Sequence, residues 1–317
     1  MHTYTGWVVL LSFLFAFILA GLPVDVFYDR ANYLVYADSS AQILDRYLSS
    51  GLLSVLANEP VWLAINIFLS DFFNAEMTLR VIIFYSSFFI TYKVLRYKPK
   101  FFILVVLFLL LPQALKNNIV HLRQGVGLSF FLIGYFATNR AIKAAFLLMS
   151  PFVHASFFFI LFFYYVNKIF HYLRLAADVR SLIIILFGIF ISISGLYIAG
   201  VLGARQGVQQ SYTSFGMHSI GLGFIFWSII LVLYFSAGKL FLKEQSLSIT
   251  ILLFYLSTYM FFPVAARIFE SGLILVLLAG LNLKGKKFTL FVSLFFTYFI
   301  VQWSMRLHSP YFGWGLM

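Results

Sequence analysis

The chain has 317 residues, of which 62% are hydrophobic and 21% aromatic, and only 10% carry a charge. Mean hydropathy is +0.98. This excludes a soluble globular domain and is the composition of a polytopic membrane protein. The net charge of +12 does not point to nucleic acid, because the Lys and Arg residues stand in short clusters between apolar runs. There is no cysteine, so disulfides, iron–sulfur clusters and thiolate metal sites are excluded.

The first segment, GWVVLLSFLFAFILAGLPV, has no basic leader and no clear small-residue cleavage site. It reads as a retained membrane helix over 7–24. Further apolar runs follow at 59–70, 77–95, 101–112, 119–138, 144–153, 155–170, 181–202, 219–237, 247–265, 266–283 and 288–304. Several are shorter than the ~20 residues a span needs, which predicts broken or re-entrant helices shielded by protein. The expected fold is an all-α polytopic integral membrane protein with about 10–12 transmembrane or re-entrant helices. It is expected to form a single transmembrane domain over 1–317, with outer loops near 25–58 and 203–218.

Charge orients these segments. Lys93, Arg96, Lys98 and Lys100, then Arg140 and Lys143, then Lys168, Arg174 and Arg180, then Lys239 and Lys243, and finally Lys284, Lys286 and Lys287 are assigned to the cytoplasm. Residues 117–125, the loop 203–218, the 264–267 junction and the C-terminal RLHSPYFGWGLM then face outward. Between Lys143 and Lys168 the chain has room for two short helices only. They are expected to meet near Ser150–His154, and Pro151 favours a break there. The start admits two readings: 59–70 is re-entrant, or the N-terminus is outside and 25–58 is cytoplasmic.

The stretch Asn117-Asn118-Ile119-Val120-His121-Leu122-Arg123-Gln124-Gly125 puts a polar, basic knot between apolar runs. An Arg inside a membrane helix costs roughly 2.5–3.5 kcal/mol, so Arg123 should face a cavity or a partner. Its planar fork suits phosphate, and the alternative is an Arg that snorkels to lipid headgroups. Arg267 is either such a site residue or the partner of Glu270 on one helix face. Arg205 is an outer-loop charge. His154, among aromatics, is a candidate base or phosphate contact, or else a packed, hydrogen-bonded histidine. Seven of the ten acids precede residue 80. Among them Asp29 either pairs with Arg30 or sits in a solvated loop, and Glu59-Pro60 reads as the first turn of a helix. No nucleotide-binding loop, metalloprotease or nucleophile-elbow motif is present, and the six His show no ligand spacing. No metal and no organic cofactor are therefore expected.

Taken in order, AGLPVDVFYDRANYLVY (20–36), NEPVWLAI (58–65), HLRQGVGLSFFLIGYFATNRAIKAAFLLMSPFVHASFFFIL (121–161) and Ala265-Ala266-Arg267 resemble the Wzy-type polymerases of O-antigen, capsule and exopolysaccharide repeat units, in the EpsG-like branch. An Arg-Gln helix leading to a basic turn, and a short helix ending in His and small residues, carry the strongest part. The chain departs from the family at Pro23, where an Arg is usual.

The resemblance implies a glycosyltransferase with a GT-C-like helical bundle in the bacterial inner membrane, its active site facing the periplasm or cell exterior. It would move a growing glycan from undecaprenyl diphosphate onto a lipid-linked repeat unit. Arg123, Arg267, Arg205 and Gln124 would hold diphosphate, and His154, Asp29 and Glu59 would act in catalysis. Partners would be the lipid-linked oligosaccharide and polysaccharide, the bilayer, a chain-length regulator and a flippase. Two rival readings share these features: an O-antigen ligase or polyprenyl-phosphate-sugar transferase, and a lipid-linked glycan transporter or flippase. No internal repeat of the kind common in transporters is found in the sequence.

Overall fold

A computed structural model of the chain describes residues 2–201, 221–262 and 264–315. Among these residues the protein is all-helical, and the one β-type contact is an isolated antiparallel bridge between Phe27 and Gly315. The chain divides into two compact units, residues 1–158 with 302–317, and residues 159–301.

The first unit opens with α1 (His2–Ala20), which packs along α5 (Ala75–Tyr97). Between them stand α2 (Arg30–Ser49), the short α3 (Leu52–Ala57) and α4 (Pro60–Ser70). The expected outer loop at 25–58 is therefore mostly helix. Its Tyr33, Tyr36, Ala37 and Ser40 are buried with Arg30, while Asp38, Asp45 and Arg46 stay outside, so the stretch is an amphipathic helix packed on α4. The polarity that suggested a loop belongs to its solvent face.

Next come α6 (Phe102–Leu110), α7 (Pro112–Ile119), α8 (Leu122–Tyr135) and α9 (Arg140–Val153). α6 and α7 are bent by 67° at Leu111-Pro112, as a Pro at the first position of a new helix requires. The expected apolar segment 119–138 is divided. α7 ends at Ile119 and α8 begins at Leu122, so Arg123 sits in a first helical turn and not at a helix centre. α9 starts under an Asn139 cap whose Oδ1 accepts from the Ala141 and Ile142 amides, and it carries Pro151 inside its last turn. The two short helices expected between Lys143 and Lys168 are present. The break falls at His154 and Ala155, after Pro151 and not at it.

The C-terminal segment returns to this unit. Trp303 Nε1 donates to the Leu110 carbonyl at 3.1 Å, and the Tyr28 amide donates to the Trp314 carbonyl at 2.9 Å. It thereby braces the loop just ahead of Asp29.

Close approach of α7 and α8 depends on Gly125. A Cβ there would lie 2.4 Å from the Asn117 carbonyl oxygen, which is backbone and cannot swing away. Gly125→Ala is expected to destabilise the protein by about 1–3 kcal/mol, measured by thermal unfolding in detergent. Gly6→Ala, where a Cβ would meet nothing within 4 Å, is the control and is expected to be neutral.

The second unit contains most of α10 (Ser156–Tyr172), together with α11 (Ala177–Val201), α12 (Leu222–Ser236), α13 (Lys239–Glu244), α14 (Ser246–Thr258), α15 (Ala265–Gly280) and α16 (Lys286–Ser304). α14 is its centre, packed by α11, α12 and α15. Phe163, Phe187 and Phe254 form one aromatic cluster, and Trp227, Tyr255, Phe269 and Tyr298 form another.

Among the described residues, α5, α16 and the Ala177–Ser194 part of α11 are long and apolar enough to cross a membrane, and the bent pair α6–α7 qualifies if counted as one span. α11 presents Leu182, Leu186, Phe190 and Ile193 outward, which suits hydrocarbon and not water. The chain is a helical membrane protein built largely of short helices.

Candidate active site

Two acids open helices in the first unit, and both stand in left-handed backbone conformation: Asp29 before α2 (φ 63°) and Glu59 before α4 (φ 60°). Only glycine adopts this region without penalty, and a residue before proline normally lies in the extended region. Each such residue costs roughly 1–3 kcal/mol, which the surroundings must supply. Neither side chain caps its own helix. The carboxylates are turned to other partners: Glu59-Pro60 does open α4 as the sequence indicated, but that does not account for the Glu59 carboxylate.

Glu59 joins two distant segments. Its Oε2 accepts from Arg123 Nη1 at 2.5 Å. Its Oε1 lies 2.6 Å from His154 Nδ1 and accepts from the Ala155 amide at 3.2 Å. The extended conformation of His154, in the break between α9 and α10, frees that amide and aims the ring at Glu59. Glu59 precedes the short α4 and lies outside the segments long enough to span. Burial would raise its carboxyl, but the Arg123 guanidinium, and His154 after it, hold it well below the usual carboxylate range. The ionised carboxylate accepts, so His154 Nδ1 carries a proton, and in the neutral ring Nε2 has the lone pair.

Arg123 is stacked as well as paired. Its guanidinium lies over the rings of Tyr36 at 5.5 Å and Tyr33 at 5.9 Å. Trp62, fully buried on α4, meets both tyrosines edge to face. Arg123 Nε is buried without a hydrogen-bond partner.

Beside this cluster, His121 Nδ1 lies 3.7 Å from Asp29 Oδ2, and Asn32 donates to Asp29 Oδ1 at 3.3 Å. Asp29 is held below the ordinary aspartate value, chiefly by the nearby His121 ring and against the opposing effect of burial. Exposure grades across the site. Asp29 is 42% exposed, Arg123 25%, His121 18%, and Glu59 and His154 8% each. The charges thus descend from an open edge to a dry base, where they interact most strongly.

Of the residues singled out from the sequence, Asp29, Glu59, Arg123 and His154 converge in this unit. Gln124 is 1% exposed and closed to a ligand in this state. Arg267 lies on the first turn of α15 in the second unit and is exposed, one turn before buried Glu270. Arg205 lies outside the described residues. Of the two readings of Asp29, the pairing with Arg30 is not formed, and its carboxylate faces His121 and Asn32 at the open edge. Arg30 is fully buried, donates through Nε to the Ile119 carbonyl at 2.8 Å, and so anchors the end of α7 while Asp29 turns to His121. Sequence reasoning missed His121, although it stands two residues before Arg123 in the same polar knot. It missed Tyr33 and Tyr36 because aromatics are abundant everywhere in this chain. Among the described residues no group of three or more His, Asp or Glu is placed to hold a metal ion.

Compared with protein-family models, with curated proteins and with solved structures, the chain matches none.

Proposed function

We propose that the first unit carries the active site of a membrane polysaccharide polymerase. In this reading the enzyme transfers a growing glycan from a polyprenyl diphosphate onto a lipid-linked repeat unit at the outer face of the bacterial inner membrane. The observation that carries the reading is the Arg123–Glu59–His154 cluster, a cation, an ionised acid and an oriented imidazole drawn from three separate segments. It rests also on the likeness of those segments to the Wzy-type enzymes.

The chemistry follows from the groups. The bond broken joins the anomeric carbon of the donor glycan to the diphosphate oxygen, and the bond formed joins that carbon to an acceptor hydroxyl. Negative charge grows on the departing diphosphate, and the Arg123 fork is placed to stabilise it. The acceptor proton goes to His154 Nε2, whose ring is held by Glu59 through Nδ1. Glu59 touches both working groups and is a positioning residue in this scheme. Asp29 and His121, at the open edge, are placed for the hydroxyls of the incoming sugar. The apolar body of Trp62 with Tyr33 and Tyr36 gives the site a surface on which a sugar or a prenyl chain can lie.

The direct test is a gel of surface polysaccharide from the source bacterium with this gene deleted. The expected result is collapse of the polymer ladder to core plus a single repeat unit. Loss of the single unit as well would assign the protein to an earlier transferase, the flippase or the ligase and would overturn the reading.

A further inference from the structure

The second unit holds a recess with one polar wall and one apolar wall that the proposed reaction does not use. It is a small recess, open to the outside, between α10, α11 and α14. Arg180, Ser181, Asn167, Ser246 and Thr250 supply its polar wall, and no carboxylate lines it. Asn167 Nδ2 donates to the Phe163 carbonyl at 2.8 Å and to Thr250 Oγ1 at 3.0 Å, so that part of the wall is fixed.

Arg180 is the cation in the wall. Its Nε is buried without a partner. Its Nη1 lies 3.4 Å from His171 Nε2, and His171 Nδ1 donates to the Asn167 carbonyl at 2.6 Å. Arg180 is therefore held by a long bond to a ring nitrogen and by no acid. A guanidinium in a recess free of carboxylates is a fork waiting for an anion.

The surroundings say which anion. His171 Nε2 also lies 3.2 Å from the Lys243 carbonyl, which brings the basic cluster at 239–243 against the one at 168–180. Lys168 Nζ sits over the Tyr164 ring at 4.4 Å. Tyr172 (86% exposed), Leu173 and Leu240 project outward among these cations. Large apolar side chains exposed beside lysines and arginines are the surface of a membrane interface, not of a water-facing loop. A soluble anion would need only the cations; a lipid uses both.

We infer that this recess binds the phosphate of an anionic phospholipid, with Arg180 as the contacting group and the acyl chains lying on the exposed apolar residues. The inference is independent of the polymerase reading.

The test uses the purified full-length protein in a neutral detergent, with dioleoylphosphatidylglycerol, dioleoylphosphatidylcholine or inorganic phosphate added. Native mass spectrometry reads bound lipid, and thermal unfolding reads stabilisation. Phosphatidylglycerol is expected to bind and stabilise, and phosphatidylcholine at the same concentration to do so much less. Arg180→Gln should lower phosphatidylglycerol affinity by about tenfold or more, the size of one charge-assisted hydrogen bond. Arg174→Gln removes an equal charge from an exposed residue outside the recess and should change little. Ser181→Leu fills the recess while keeping the charge and should also abolish specific binding, which covers the case in which Arg180→Gln does not fold. Equal loss in Arg174→Gln and Arg180→Gln, or equal binding of the two lipids, would overturn the site. Stabilisation by inorganic phosphate as strong as that by phosphatidylglycerol would overturn the lipid assignment in favour of a small anion.

Discussion

Arg123→Ala is expected to abolish polymer formation in a deletion strain complemented with the variant, leaving core plus a single repeat unit. Loss of one preorganised donor to a developing oxyanion costs about 10²–10³ in rate, and in a reaction that must repeat to build a ladder that loss is close to complete. Alanine also strips Glu59 of its cation, so a folding defect could mimic a catalytic one. Arg123→Lys separates the two. Lysine keeps a positive charge near Glu59 but has no planar fork and stacks less well on Tyr33 and Tyr36. The expected outcome is a lysine variant present in the membrane at near-normal level and still without a ladder. A wild-type ladder from Arg123→Lys would show that the fork is not needed and would remove Arg123 from the diphosphate role.

Glu59→Gln should do more damage than its size suggests, because one carboxylate serves two partners. Breaking a buried ion pair by removing one side costs about 3–5 kcal/mol, and here the lower end applies since Arg123 is a quarter exposed. Thermal unfolding in detergent should fall by several degrees. His154 loses the acceptor that fixes its Nδ1 proton, and a misassigned tautomer costs on the order of 10³–10⁴-fold in rate where an imidazole is the base. The pH dependence carries a sign. The folded-state value of Glu59 is depressed, so its contribution is full above the ordinary glutamate value of about 4.3. It is lost as the pH falls from there through the depressed value. The stability gap between wild type and Glu59→Gln should therefore be flat from pH 7 to pH 5 and close only in more acid solution. A gap that closes between pH 7 and pH 5 would mean that Glu59 is not held ionised. His154→Gln and His121→Gln, compared by the pH profile of in vitro polymerisation, assign the base: only loss of the true base removes the acid limb.

Hydrophobic length and the position of Pro151 are local properties, and they were enough to place most helices and the two short ones that meet at His154. The same signals did not show the helices within 25–58. An amphipathic helix with polar residues on one side has low average hydropathy, and a linear scan sees a loop. They also ran 119–138 together, since the gap at Val120-His121 contains no helix breaker stronger than a histidine. Arg123 stood out in the sequence through the cost of a guanidinium among apolar runs and His154 as a titratable ring among aromatics, while Glu59 became a candidate only through the family resemblance. The pairing among them was not legible. Sequence spacing offered Arg30 to Asp29, one residue away, yet Arg30 caps α7 and Asp29 faces His121.

The sequence alone determined that this is a helical membrane protein with polar and charged residues set at a few costly positions, because transfer of apolar surface and of charge depends on composition and local order. Only the tertiary structure decided that Glu59 bridges Arg123 and His154, 64 and 95 residues away along the chain. A carboxylate chooses its partners by distance in space, and its left-handed backbone and the break at His154 set that distance together.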